Sequence, residues 1–471
     1  MHKKSYPVIA MLLLAAAALV TVTQSPMRAQ PPAPAQKGGA PKGGAPKGGP
    51  GGPGGAKGGV PAAPLPTEPT AVALPTLSAK ITGPGAMYDS AVAQWPGRDV
   101  KFYKYDTDEY FVSGTANSKP YKTRLVIRKP ADNSKFSGLV IAESMHPAGN
   151  AHAFEYTSVY TMSSGHIAAE ILTSGPMIPQ NFNRERYADL TMSNDQVNEI
   201  LAQVGSLIRS DKGPLAGLPV RKVVLFGTSA SSLVLTNYLP AHMVYRTPDM
   251  KHIYDGFMPT SNGAVIMAVD VPLIQLPTQH EQENIATVRQ DGDAPGDQYR
   301  DYEFAAMGHL DSKNNVRLPQ SACVNPLSKY PVEAYMSVGM YHLLRWVDQG
   351  IVPPKADRIL IDRNRANDGS LMALDDRGNA KGGIRNPYVD LPVAKYTARN
   401  TATPAPAGNA QLCGLSVYTT PIAKADLKKM YGSKANYVKK VDARLKELEK
   451  VGWSLPVYHD LIIEDAKAVD F

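Results

Sequence analysis

Apolar residues follow two rhythms along most of this chain, and each predicts a kind of element. Val223-Val-Leu-Phe226 is an unbroken apolar run that ends in the small residues Gly227-Thr-Ser229-Ala-Ser231, with a helix-compatible stretch from Ser232 to Leu239 directly behind. Short apolar runs bounded by turn residues fit buried strands. This stretch therefore predicts a strand, a sharp turn and a helix. Thr123–Ile127, Gly138–Ala142, Ile253–Met258, Val271–Leu276 and Tyr302–Ala306 predict further strands. The helical rhythm appears after Ser193-Asn-Asp-Gln196, a capping-box pattern, where Val197, Ile200, Leu201, Val204, Leu207 and Ile208 fall on one face. Val332 to Gln349 predicts a second amphipathic helix, stopped by Gly350 and Pro353-Pro354. Ser433 opens a third, basic one with Val438, Val441, Leu445, Leu448 and Val451 on one side. Strands alternating with helices imply an α/β fold on a mostly parallel sheet flanked by helices.

Neither rhythm holds before residue 76. Residues 1–29 predict a secretory signal: His2, Lys3 and Lys4 precede an apolar run from Val8 to Val22 and small residues near Ala29. That run is shorter than the roughly 20 residues a membrane span needs, so no transmembrane segment is expected. Residues 30–75 form a linker of Pro, Ala, Gly and Lys that cannot bury enough surface to offset its ordering entropy. The folded domain is expected over residues 76–471. This division relocates the charge. Residues 1–66 hold seven basic and no acidic side chains out of a net +8, leaving the remainder near neutral. A near-neutral body argues against nucleic-acid binding. The linker's lysines offer at most weak contact with anionic envelope polymers. Export also predicts that Cys323 and Cys413 pair, and places the protein in the periplasm or outside the cell.

In a parallel sheet, chemistry gathers at the carboxyl ends of strands. Those ends carry Glu143 to His146, Ser229, Gln279-His280-Glu281, and Gly308-His309-Leu310-Asp311. A serine hydroxyl becomes a useful nucleophile when a neutral imidazole takes its proton and a carboxylate orients that imidazole. A serine on a strand–turn–helix junction is held with its hydroxyl exposed, and the helix N-terminus is aimed at the same place. Ser229 fits, although Ser231 stands where a second glycine is usual. Of the six histidines after Ser229, His242, His252 and His280 come before the expected acid, and His342 lies mid-helix. His309 remains, on a loop behind a glycine, with His459 near the C-terminus as the alternative. Glu281 is the expected acid and Glu283 the runner-up, while Asp291 and Asp293 sit in a charged loop. The oxyanion donors expected are the Ala230 N–H and one from Met145 or His146. No His or Cys cluster has metal-ligand spacing and no Gly-rich loop suits a nucleotide, so neither metal nor cofactor is expected.

Several motifs occur together in order: Tyr110-Phe-Val-Ser-Gly-Thr115, Tyr121-Lys-Thr-Arg124, Gly138-Leu-Val-Ile-Ala-Glu143, the serine turn, Tyr254-Asp-Gly-Phe257, Tyr302 to His309, Trp346-Val, Pro353-Pro354, Asp376 to Asn379 and Gly382 to Pro387. Over about residues 80–420 the chain resembles the bacterial α/β-hydrolase-domain family of large secreted serine hydrolases. The resemblance implies an α/β-hydrolase fold and esterase-type cleavage of a small-molecule ester, with Ser229 as nucleophile and His309 as base. Residues 312–471 exceed what a minimal hydrolase sheet needs and read as a C-terminal cap. Two rivals use the same sequence: a non-catalytic envelope-binding protein that keeps the fold, and an amide-cleaving serine hydrolase.

Overall fold

The computed structural model describes residues 64–91, 95–282, 289–310, 320–362, 371–405 and 408–471. The expected signal segment, most of the expected linker and Glu283 lie outside the described residues. Thr70 and Ala71, placed in that linker, nevertheless pair with Tyr245 and Arg246, and Val72 is buried in the core. The fold opens with β1 (Tyr105–Ala116) and β2 (Lys119–Pro130), antiparallel along their whole length. Asn117 and Ser118 join them with φ of 47° and 58°, the backbone that a two-residue hairpin turn requires. Then come β3 (Leu139–Ser144), α1 (His152–Ser163), β4 (Ile167–Ile171) and α2 (Val197–Arg209). The expected Ser193–Gln196 capping box is formed at the start of α2. After it follow β5 (Lys222–Thr228), α3 (Ala230–His242), β6 (Gly256–Thr260), β7 (Leu273–Gln275), α4 (Gln279–Gln282) and β8 (Asp297–Asp301).

The sheet runs β8-β7-β6-β5-β3-β4-β2-β1, with short strands Gly292–Ala294 beyond β8 and Thr76–Leu77 beyond β1. From β4 to β8 all neighbours are parallel, and β4–β2 and β2–β1 are antiparallel. Alternation along β5 shows why it is central. Val223 and Leu225 join the core beneath α2 and α3, while Val224 and Phe226 join the opposite core. Both faces are covered, so the strand is apolar throughout.

One predicted strand is misplaced. Tyr302–Ala306 is a loop, and the strand is the polar segment Asp297–Asp301 just before it. Burial of so charged a strand is supported by ion pairs and by carbonyl acceptors from other segments. Arg300 donates to the carbonyls of Pro353 (2.9 Å) and Gly292 (2.9 Å) and to Asp293. Asp301 meets Arg358. The loop after it is held by Gly382 to Asn386: Ile384 N–H donates to Glu303 O (2.7 Å) and Asn386 Nδ2 to Ala305 O (2.8 Å).

The C-terminal part also differs from a simple cap. Its longest helix, α5 (Val332–Gln349), ends at Gly350 in the left-handed region as expected (φ 68°). It packs beside α1 on the face of the sheet, so it is a core layer. α6 (Lys434–Lys450) buries Tyr437, Val441 and Leu445 against the same core, and Leu448 is also buried, whereas Val451 is exposed. α7 (His459–Lys467) follows. Cys323 and Cys413 form the expected disulfide, Cα atoms 5.6 Å apart, beside Leu310 and Leu327. Among the described residues no helix is long and apolar enough to cross a membrane.

Candidate active site

Ser229 stands between β5 and α3 with φ 53° and ψ −121°. A non-glycine residue in that region stores about 1–3 kcal/mol of strain and persists only where its surroundings enforce it. Here the enforcement can be traced. A Cβ on Gly227 would lie 2.6 Å from Ser231 O and 2.9 Å from Ser232 Cα, so only glycine lets the helix start this close to the strand. The Ser229 N–H donates to Thr260 O on β6 (3.1 Å). Ser231, at the position where the pattern departs from glycine, is fully buried. Its hydroxyl accepts from the Thr228 N–H (2.9 Å) and donates to Thr228 O (2.8 Å). The departure thus adds a clasp across the turn. Ser229 and Ala230 stay partly exposed while Ser231 and Ser232 are buried. Ala230 is the first helical residue, so its N–H has no acceptor within the helix and is available to an anion.

Two strands along, α4 follows β7 and carries Glu281; the loop after β8 carries His309. His309 Nδ1 meets Glu281 Oε1 at 2.6 Å, both side chains being buried. The other carboxylate oxygen accepts from the Thr278 N–H (2.7 Å) and from its hydroxyl. Burial pushes the Glu281 carboxyl up; the charge of His309 and the bonds from His309 and Thr278 more than reverse this and hold it below its ordinary value. Gln279 fastens the two segments together. Its N–H donates to Met307 O (2.8 Å) and its Oε1 accepts from Ala306 N–H (2.9 Å), steadying Ala306 at φ 70°. Sequence reasoning placed Gln279 at a strand end without giving it a role, and missed Thr278. The signal for the second was Thr278-x-x-Glu281, a capping-box spacing.

All three side chains therefore share the carboxyl edge of the parallel sheet. Backbone bonds step across it from Ser229 to Thr260, from Ser261 to Leu276 (2.9 Å), and from Gln279 to Met307. Ser229 Oγ and His309 Nε2 make no hydrogen bond among the described residues. Nucleophile–base contacts often tighten only around a substrate.

Other expectations need correction. Met145 and His146 do not offer an oxyanion donor: their N–H groups are already bonded to Ile171 O (2.8 Å) and Asn150 O (2.9 Å). In the same loop, Ala148 N–H donates to His146 Nδ1 (3.0 Å) and Gly149 N–H to His146 O (2.7 Å). Glu143 is structural, its carboxylate capping α1 through Ala153 N–H at 2.8 Å, with burial pushing its pKa well up. His342 is packed against Gly452 O (3.0 Å), and burial pushes it down to about 4. His459, the alternative base, lies on the outer helix α7 with both ring nitrogens on carboxylates. Arg124, in one of the motifs carrying the resemblance, is a buried partner of Glu109 and Glu170.

No curated protein matches the chain. Among solved structures it is similar to a cold-adapted esterase from an Arctic intertidal metagenomic library, at 13% identity and TM-score 0.23, covering 36% of this chain and 71% of that one. Esterase Est22 aligns at 9% identity and TM-score 0.29, over 39% of this chain and 65% of that one. LpqC, a poly(3-hydroxybutyrate) depolymerase from Bordetella parapertussis, aligns at 10% identity and TM-score 0.31, over 53% of this chain and 91% of that one. Likenesses of this size add nothing to what the family comparison carries. Residues 66–464 match the family described as alpha/beta hydrolase domain. With the serine turn after β5 and the acid and histidine after β7 and β8, the match spans nearly all of the described chain: this protein belongs to the alpha/beta hydrolase domain family.

Proposed function

We propose that the protein is an exported serine hydrolase that cleaves a small-molecule carboxylic ester through an acyl-enzyme. The observation that carries the reading is the enforced positive φ of Ser229 at the start of α3, on the sheet edge that also holds the buried Glu281–His309 pair. Glu281 fixes Nδ1 of His309 as the protonated nitrogen, which leaves Nε2 as the base. Ser229 Oγ bonds to the ester carbonyl carbon as its proton passes to His309 Nε2. The oxygen that gains charge lies toward the Ala230 N–H and the N-terminus of α3. Collapse breaks the bond to the alcohol oxygen, which takes the proton from His309. Water then repeats the sequence on the acyl-serine and releases the acid. Export is supported by the basic–apolar–small order of residues 1–29 and by the oxidised Cys323–Cys413 pair.

A fluorophosphonate probe tests the reading. It labels Ser229 in the wild-type protein and leaves Ser229→Ala unlabelled, and the same variant loses hydrolysis of short-chain p-nitrophenyl esters. A protein that is neither labelled nor active on any ester would be a binding protein on a hydrolase fold.

A further inference from the structure

At the far end of α3 from Ser229, three side chains from separate connections converge. His242 ends the helix, His252 lies in the turn entering β6, and Asp270 in the loop entering β7. His242 Nε2 is 3.0 Å from Asp270 Oδ1, and His252 Nε2 is 3.4 Å from Asp270 Oδ2. The two rings stack 5.0 Å apart. One nitrogen from each ring and a carboxylate oxygen all lie within 4.8 Å of one another. His242 is completely buried. Its Nδ1 and that of His252 are closed to solvent and have no hydrogen-bond partner. Hydrogen bonding alone therefore leaves the cluster incomplete. The two Nε2 atoms stand 3.0 and 3.4 Å from the Asp270 oxygens, about the separation that ligands of one ion keep at metal–ligand distances near 2.0–2.2 Å.

We propose that His242, His252 and Asp270 bind a divalent transition-metal ion, zinc foremost. Two imidazoles and one carboxylate are a donor set for zinc and its first-row neighbours rather than for magnesium or calcium. The carbonyls of the last turn of α3 favour positive charge at this point. Arg246 does not fill the place. One of its nitrogens is 3.9 Å from Asp270, and another is anchored on the carbonyls of His242 (2.8 Å) and Tyr245 (2.9 Å). A helix of this length puts the cluster about 20 Å from Ser229. The ion would thus staple the serine-bearing helix to the starts of two core strands and take no part in hydrolysis.

The test uses the full chain without a histidine tag, stripped with EDTA and passed through gel filtration. Zinc is added back and measured by elemental analysis, with cobalt(II) as the spectroscopic probe. One zinc per chain is expected, with a Tm rise of about 2–4 °C and a cobalt spectrum of low-symmetry nitrogen and oxygen ligation. Ester hydrolysis stays unchanged. His252→Gln and Asp270→Asn, both at partly exposed positions, should bind at least tenfold more weakly and lose the Tm rise. These two carry the test if a variant at buried His242 fails to fold. Wild-type protein that retains no zinc, or variants that hold it as tightly as wild type, would overturn the assignment.

Discussion

His309 and His459 each meet a carboxylate at close range, 2.6 Å to Glu281 and 2.7 Å to Glu449. They differ in what the second ring nitrogen does. On His459 that nitrogen is 3.1 Å from Asp442. Burial pushes His459 down, but hydrogen bonds to the two acids outweigh it and raise its pKa above the ordinary value. A ring held protonated by two acids has no lone pair to offer a hydroxyl. His309 meets one acid, on Nδ1, and among the described residues no hydrogen bond to its Nε2 is formed at the sheet edge that carries Ser229. A carboxylate next to a histidine thus fits either the proposed base or a surface ion pair, and what the second nitrogen meets separates them.

The largest expected effect would break this contrast outright. On the proposed mechanism, Ser229→Ala and His309→Ala should each lower kcat by on the order of 10⁴-fold or more, because groups that act as a unit are lost together. His459→Ala should stay within about twofold of wild type. Kinetics on one p-nitrophenyl ester decide it, and a dead His459 variant beside an active His309 variant would reverse the assignment. Next in size, Glu281→Gln should lower kcat by roughly 10²–10⁴-fold, since the acid orients and stabilises rather than attacks. Its KM should change little. Thr278→Val sharpens the picture further. It removes the hydroxyl bond to Glu281 while the backbone bond remains, and a loss of about tenfold or less in kcat is expected.

The smallest effect concerns the other pair. The folded pKa of His459 lies above its unfolded value near 6.5, so its pairing stabilises fully below that value and fades as pH rises through the folded pKa. His459→Gln should therefore lower Tm by about 1–3 °C near pH 6 and by less near pH 9. A Tm gap that widens with pH would show the ring to be neutral in the folded state.

The sequence made the serine turn legible because its physics is local: an apolar run, a glycine and small residues within one short stretch. The helix Val332–Gln349 was legible for the same reason, with its period and its Gly350 stop side by side. Glu281 and His309 could be found from strand ends and chain order, even though the strand thought to precede His309 was misplaced. Asp297–Asp301 was illegible because its burial depends on Arg300 reaching Asp293, Gly292 and Pro353 from across the fold. The error over Met145 and His146 has a related cause. Whether a backbone N–H is available depends on which carbonyl folds onto it, and no residue type announces that. Ser231 looked like a lapse from the pattern until its hydroxyl was seen bridging Thr228. The cluster of His242, His252 and Asp270 has no sequence spacing because each comes from a different connection.

The Cys323–Cys413 bond joins residues 90 positions apart, and this changes what a protease would leave behind. A cut anywhere between them severs the chain without releasing a piece. The N-terminal part, with Ser229, Glu281 and His309, stays covalently attached to the part that carries α6 and α7. The nicked protein would run as one band on a non-reducing gel and as two after thiol treatment. In a protease-rich surrounding, a single scission in that stretch would leave the molecule whole in mass and joined across its core.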